Sequence, residues 1–287
     1  MNAGNLESRA RVSTSRLASW RVERWLVAVT VLSVLGLYAW YYAEHRQPSA
    51  NNHRVAVMWL GGIGTALAVF AAALSIRKRL AYQGVGKLSS WTRVHVYAGI
   101  VAAFAIAFHS GFRSGGPLTA LLLALFWLTV ASGLLGWGLS RTVPRLLTAL
   151  EENPAILEDL LATRAESIAG MQELAAGAST DFRELVSDRL MKDAASWRRI
   201  LRFYQRRTTL AQELPAFQDE YKPALLSLRE HEQRAFGRAV EFALRANKMN
   251  AELFLQRLLR GWLTFHLAVT VAMFSLAAIH IVSVLYY

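Results

Sequence analysis

The 287-residue chain contains no cysteine. This excludes disulfides, thiolate-ligated iron–sulfur clusters and thioether attachment of a haem. Acidic residues are missing in long stretches: no Asp or Glu occurs between Glu44 and Glu151, and none after Glu252. Pumps and ion-coupled transporters usually carry acid relays inside the bilayer, so ion translocation through this chain is disfavoured. No basic helix or aromatic-interleaved patch suits a nucleic acid. The Gly61-Gly62-Ile63-Gly64 run lies inside an apolar segment and is not a dinucleotide fingerprint.

What is present is apolar. Hydrophobic residues make up 54% of the chain and the mean hydropathy is +0.26, a membrane composition. Five charge-free segments, at 25–43, 56–76, 94–112, 117–139 and 262–286, each have the length needed to span a bilayer. The first is read as an uncleaved anchor rather than a signal peptide, because it is long and rich in Trp and Tyr. The net charge of +12 comes from the flanks of these segments. Residues 141–261 are nearly balanced, with 19 Lys/Arg against 17 Asp/Glu. The remainder carries 13 Lys/Arg and only Glu7, Glu23 and Glu44.

The basic residues set an orientation. Arg9, Arg11, Arg16, Arg21 and Arg24 precede the first span; Arg77, Lys78, Arg79, Lys87 and Arg93 lie between the second and third. Only Arg46, Arg54 and Arg113 fall on the other side. The expected topology has the N-terminus and residues 141–261 in the cytoplasm and Tyr287 outside. The expected fold is all-α. It is a bundle of five transmembrane helices in the cytoplasmic (inner) membrane, with a helical insert between the fourth and fifth. The expected divisions are a tail at 1–24, spans one to four at 25–140, the insert at 141–261 and span five at 262–287.

Two of the spans carry histidines at one spacing: Trp91-x3-His95-x13-His109 and Trp262-x3-His266-x13-His280. Ionisable residues inside a bilayer are rare and by default functional. Fourteen residues span about 21 Å of helix and leave the second histidine only about 40° from the first around the axis. Each span therefore shows two histidines on one face, near opposite edges of a hydrocarbon layer roughly 30 Å thick. In the expected topology spans three and five run in the same direction. His95 then pairs with His266 at the inner level, and His109 with His280 at the outer. Neutral imidazole is an axial ligand for haem iron, and without cysteine any haem is non-covalent. Two haems b account for all four residues. Interhelical hydrogen bonding is the plainer reading of any one of them. A single zinc or copper ion does not fit, since about 21 Å separates the two levels whereas zinc ligands sit about 2 Å from one ion.

Arg93, Arg113 and Arg260 lie within six residues of a proposed ligand and suit the anionic propionates of a haem; setting topology is their plainer role. Trp91 and Trp262 read first as interface-belt residues. Gly61, Gly62 and Gly64 on span two, with Gly133, Gly136 and Gly138 on span four, permit close helix approach or room for a flat macrocycle. His45, His53 and His231 fall outside the spans and read as solvated.

In the insert, apolar residues recur at helical spacing, as in Leu146, Leu147, Leu150 and Leu157, Leu160, Leu161. Three or four helices are expected. Pro154, Pro215 and Pro223 read as breaks or first-turn positions, and Gly177–Asp181 as a turn and helix cap. The last helix, from about Pro223, is expected to run into span five as one long helix.

The paired H-x13-H helices, on His95, His109, His266 and His280, resemble the dihaem core of membrane b-type cytochromes. Their placement on spans three and five resembles the ferric-reductase transmembrane domain. The likeness covers spans two to five, about half the chain. It implies two stacked haems that carry electrons across the bilayer. The 287 residues depart from it in containing no Pro-Glu-Trp-Tyr quinone-site run and in carrying the long insert. The expected function is therefore a dihaem electron-transfer subunit within a larger membrane redox complex, in contact with lipid and with no nucleic-acid partner. A quinone-linked oxidoreductase subunit, with quinone as a further cofactor, is the second reading. A non-redox membrane scaffold or sensor is the third.

Overall fold

The computed structural model describes residues 3–46, 50–79, 88–150, 157–196, 198–200 and 210–286. Among these the regular elements are all helical. They are α1 (Ala3–Arg46), α2 (Ala50–Arg79), α3 (Leu88–Ser110), α4 (Pro117–Leu150), α5 (Leu157–Ala176), α6 (Thr180–Glu184), a π-helical turn (Leu185–Leu190), α7 (Met191–Ala194), α8 (Leu210–Leu225) and α9 (Glu230–Tyr286). Five are long and apolar enough to cross a membrane: α1 over Arg21–Glu44, α2 over Arg54–Ala73, α3 over Ser90–Ser110, α4 over Pro117–Pro144, and α9. The protein is an all-α, multi-pass membrane protein. Lys87, Pro154 and Tyr287 lie outside the described residues. So do the side chains of Arg9, Arg11, Arg16, His45, His53, Arg77, Lys78, Arg79, Leu147 and Leu150.

The chain divides into two compact units, Met1–Leu135 with His266–Tyr287, and Gly136–Phe265. In the first, α2 packs along α3, and α1 packs on both. Leu37, Leu60, Ala105 and Phe108 form one buried cluster, with the Tyr41 ring stacked 5.2 Å from Phe108. Ala103, Phe126 and Met273 form another. Small residues let the helices close: a Cβ on Gly64 would lie 2.6 Å from the Ile106 side chain. Trp25, Leu32, Leu135, Val271 and Leu285 point outward and exposed. On a bilayer-spanning helix such side chains meet lipid and need no protein partner.

Helix α3 stops at Ser110, two residues short of the expected end of span three. Gly111 (φ 54°) donates its N–H to the Phe108 carbonyl at 3.2 Å, and Phe112 (φ 59°) donates to the Ala107 carbonyl at 3.3 Å. This is the glycine-terminated cap in which the left-handed residue turns the chain back onto the last carbonyls. It makes His109 a residue of the last helical turn.

The second unit has its own core, built from Met171, Phe182, Val186, Leu190, Phe217, Tyr221, Phe236 and Val240. The expected turn and cap near Gly177 are present: the Ser179 hydroxyl accepts the Phe182 N–H. Glu232, in the first turn of α9, ties that turn down by accepting from the Ser179 N–H (2.8 Å) and hydroxyl (3.1 Å) and from the Arg229 N–H (3.3 Å). The carbonyls at the end of α7 are satisfied from α9. Asn247 donates to Asp193, Ala194 and Ser196, and Asn250 to Ala194. Arg199 forks onto Glu220 through two bonds of 3.0 Å and reaches Asp193 at 2.8 Å. Its guanidinium lies over the Phe217 ring, and Tyr221 donates to Asp193.

Two expectations about prolines are corrected. Pro215 and Pro223 are neither breaks nor first-turn positions but lie inside α8. A proline inside a helix removes one backbone hydrogen bond and strains the preceding turn. The packing of neighbouring Phe217 and Tyr221 into the core offsets that loss. The last helix begins at Glu230, seven residues beyond Pro223, and runs 57 residues to Tyr286 without a break at Gly237 or Gly261.

Candidate functional site

The four span histidines all belong to the first unit and all are half-buried. His95 and His266, 171 positions apart in sequence, face one another with ring centroids 6.5 Å apart and planes at 79°. Two metal–nitrogen bonds of ~2 Å each, plus ~1 Å from each nitrogen to its ring centre, place two imidazoles on one ion about 6 Å apart. The observed separation fits that requirement. His109 and His280 each lie fourteen residues further along the same two helices.

The outward nitrogens of three of these rings are already engaged. His95 Nδ1 lies 2.8 Å from the Ala71 carbonyl oxygen, and His109 Nδ1 lies 2.7 Å from the Val57 carbonyl oxygen. A carbonyl can only accept, so each Nδ1 carries the proton and each Nε2 keeps its lone pair. His266 Nδ1 lies 2.8 Å from Ser132 Oγ. The Ser132 hydroxyl also lies 2.9 Å from the Thr129 carbonyl; with its proton on that carbonyl, the imidazole donates from Nδ1. In a bilayer such interhelical bonds contribute on average only about 0.6 kcal/mol to stability. Their larger consequence is orientation, because they fix which nitrogen faces the space between the helices. A metal-binding histidine characteristically donates its other N–H in this way.

The partners on α2 repeat the histidine spacing. Val57 and Ala71 are fourteen residues apart, as are His95 and His109. Two antiparallel helices rising equally per residue keep that register, so one helix presents an acceptor at both levels. Gly61 makes the outer contact possible. A Cβ there would lie 2.7 Å from His109 Nδ1 and Cε1. Gly133 meets His266 Cε1 at ordinary contact distance, 3.5 Å, and Gly62 meets nothing within 4 Å. Gly136 and Gly138 belong to the second unit; a Cβ on Gly136 would overlap the Trp262 ring.

A cleft, partly open to the outside, lies between His95 and His266. Its walls are small or apolar: Ala68, Ala72, Gly99 and Ala102 on one side, Phe126, Leu134, Met273 and Phe274 on the other, with Thr129 the added hydroxyl. Among the described residues no group of three or more His, Cys, Asp or Glu could hold a metal ion. Two imidazoles across an apolar cleft suit an ion that brings its own equatorial ligands, as the iron of a porphyrin does.

The other expected site residues are placed less specifically. Arg93 is half-buried on α3; Arg113, just past its end, and Arg260 on α9 are exposed. Trp91 packs 6.5 Å from Phe70. His231 is exposed, as expected. Sequence reasoning missed Ser132, Val57 and Ala71. For Ser132 the available signal was a hydroxyl in a span, one of three there with Thr119 and Thr129. For the two carbonyls there was none, since a backbone oxygen has no residue identity. Comparison with protein-family models, with curated proteins and with solved structures finds no match to this chain.

Proposed function

We propose that this chain is a dihaem b-type cytochrome subunit that carries electrons across the membrane within a larger redox complex. His95 and His266 hold one haem, and His109 and His280 the other. The observation that best supports this reading is that His95 and His266 lie across an apolar cleft with ring centroids 6.5 Å apart, each with its Nδ1 against a partner on a neighbouring helix, Ala71 and Ser132. When bound, each haem supplies a one-electron iron couple.

The chain's own residues supply the setting. The four imidazoles bind axially. The carbonyls of α2 and the hydroxyl of α4 keep them aimed. The Ala, Gly, Phe and Met walls exclude water and lower the local dielectric. Arg93 and Arg260 on one side and Arg113 on the other are the cations available to propionates at the two membrane edges. The basic residues orient the protein with its N-terminus and residues 141–261 in the cytoplasm. The solvated helical unit there is a surface for the partner subunit.

Haem quantitation and reduced-minus-oxidised spectra of the purified chain test this reading. Two haems per chain with six-coordinate, low-spin spectra are expected. His95→Ala and His266→Ala should each lose the inner haem, and His109→Ala and His280→Ala the outer. A full complement of two in any of these variants removes that residue from the ligand set. A colourless wild-type protein, purified from haem-replete cells, overturns the proposal.

A further inference from the structure

The three aimed histidines do not share one kind of partner. His95 and His109, both on α3, donate to backbone carbonyls of α2. His266, on α9, has its Nδ1 against a side chain instead, Ser132 of α4, itself 6% exposed. A helix carbonyl is a fixed acceptor that also serves its own ladder. A serine hydroxyl is an acceptor only while its own proton is held elsewhere, and the Thr129 carbonyl at 2.9 Å is the acceptor placed to hold it. The chain Thr129 C=O···H–Oγ Ser132···H–Nδ1 His266 is thus directional, and each link polarises the next. It stands at the wall of the cleft: Thr129, Gly133 and His266 line it, and Gly133 leaves the His266 ring room at 3.5 Å.

We infer that Ser132 is the positioning residue of the inner cofactor site, holding His266 as the Nδ1–H tautomer with Nε2 toward the cleft and thereby setting the affinity and reduction potential of the haem bound there. This rests on the dihaem reading of the site. A donor bond from Nδ1–H makes the imidazole more basic and a stronger electron donor through Nε2. That favours ferric over ferrous iron and lowers the potential. Without the hydroxyl the ring would turn freely, share its proton between both nitrogens and donate less strongly. Because His109 uses another partner, the Val57 carbonyl, the effect is confined to one of the two haems.

The test uses the full-length protein in detergent, with haem titration and a spectroscopic redox titration that resolves the two haems. Ser132→Ala should weaken inner-haem binding by about tenfold or more and shift the inner midpoint positive, leaving the outer midpoint in place. Ser132→Thr, which keeps the hydroxyl, should restore both. Ser132→Cys, which puts a weak sulfur acceptor in the same position, should fall between them. It reads the same effect if the alanine variant does not accumulate. Wild-type affinity and midpoint in Ser132→Ala or Ser132→Cys, with the inner haem lost in His266→Ala, overturn the role of Ser132 while leaving the dihaem reading intact. A His266→Ala variant with two haems, or a wild type with none, overturns both. A midpoint shift shared equally by the two haems also overturns the assignment, since a general loosening of the bundle would produce it.

Discussion

At the scale of single residues, the placement of His109 depends on an atom that is missing. Gly61 has no Cβ, and one placed there would press on the His109 ring at 2.7 Å. The backbone of α2 would not have to move, because the imidazole is the free end of a side chain and would yield first. Gly61→Ala should therefore turn His109 off the Val57 carbonyl and lower outer-haem affinity roughly 10–100-fold, the usual cost of disturbing a ligand's outer partners. Inner-haem content should stay at the wild-type level. Gly62→Ala is the control, since nothing lies within 4 Å of its added methyl. Haem content resolved by redox titration gives the answer, and equal behaviour of the two variants would remove Gly61 from the account. The four histidines were readable in the sequence because imidazole in an apolar run is conspicuous. Gly61 was readable only as one small residue among six, and the structure separates those that touch a histidine from those that touch nothing.

At the scale of elements, the helices end where local chemistry stops them. Gly111 ends α3 and should be costly to replace: with φ at 54°, Gly111→Ala should destabilise by about 1 kcal/mol. Urea or thermal unfolding in detergent measures this, and an unchanged midpoint would contradict it. Glu232 anchors the start of α9. The Ser179 N–H is the main cause holding its carboxyl below the ordinary glutamate range. Burial opposes this, and the Ser179 hydroxyl, the Arg229 N–H and the charge of His231 add to it. A carboxyl with a lowered folded-state pKa contributes stability that is complete above its unfolded value of about 4.3 and vanishes as pH falls through the folded value. Hydrogen exchange around Ser179 should accordingly speed up as pH drops below about 4.3, beyond its intrinsic pH dependence. Glu232→Gln should remove that acid-induced loss; an identical acid limb in the variant would rule Glu232 out as its source. The turn at Gly177–Asp181 and the long final helix were legible, because caps and unbroken helical periodicity are local signals. The helical placement of Pro215 was not, because only the surrounding core keeps that helix intact.

At the scale of the whole molecule, orientation is the largest consequence of the charge pattern. Ten basic residues flank one side of the early spans and three the other. The absence of cysteine makes this directly testable, since a single introduced thiol is the only one in the chain. Leu226, 86% exposed in the turn before α9, and Ser114, exposed between α3 and α4, are suitable positions. Leu226→Cys should react with an impermeant maleimide only after permeabilisation, and Ser114→Cys in intact cells. The reverse pattern would exchange the inner and outer labels of the two histidine pairs. The five spans, the spacing of the histidines and the charge asymmetry are properties of the chain read one residue at a time. They depend on hydrophobicity and helical pitch, which act over a few turns and were determined by the sequence alone. Three features depend on contacts between residues far apart in the chain: His95 and His266 with ring centroids 6.5 Å apart, α2 carbonyls in register with both α3 histidines, and the serine hydroxyl against His266. Only tertiary structure decided these, because helical pitch says which face a residue occupies but not which backbone oxygen or hydroxyl of another helix will lie against it.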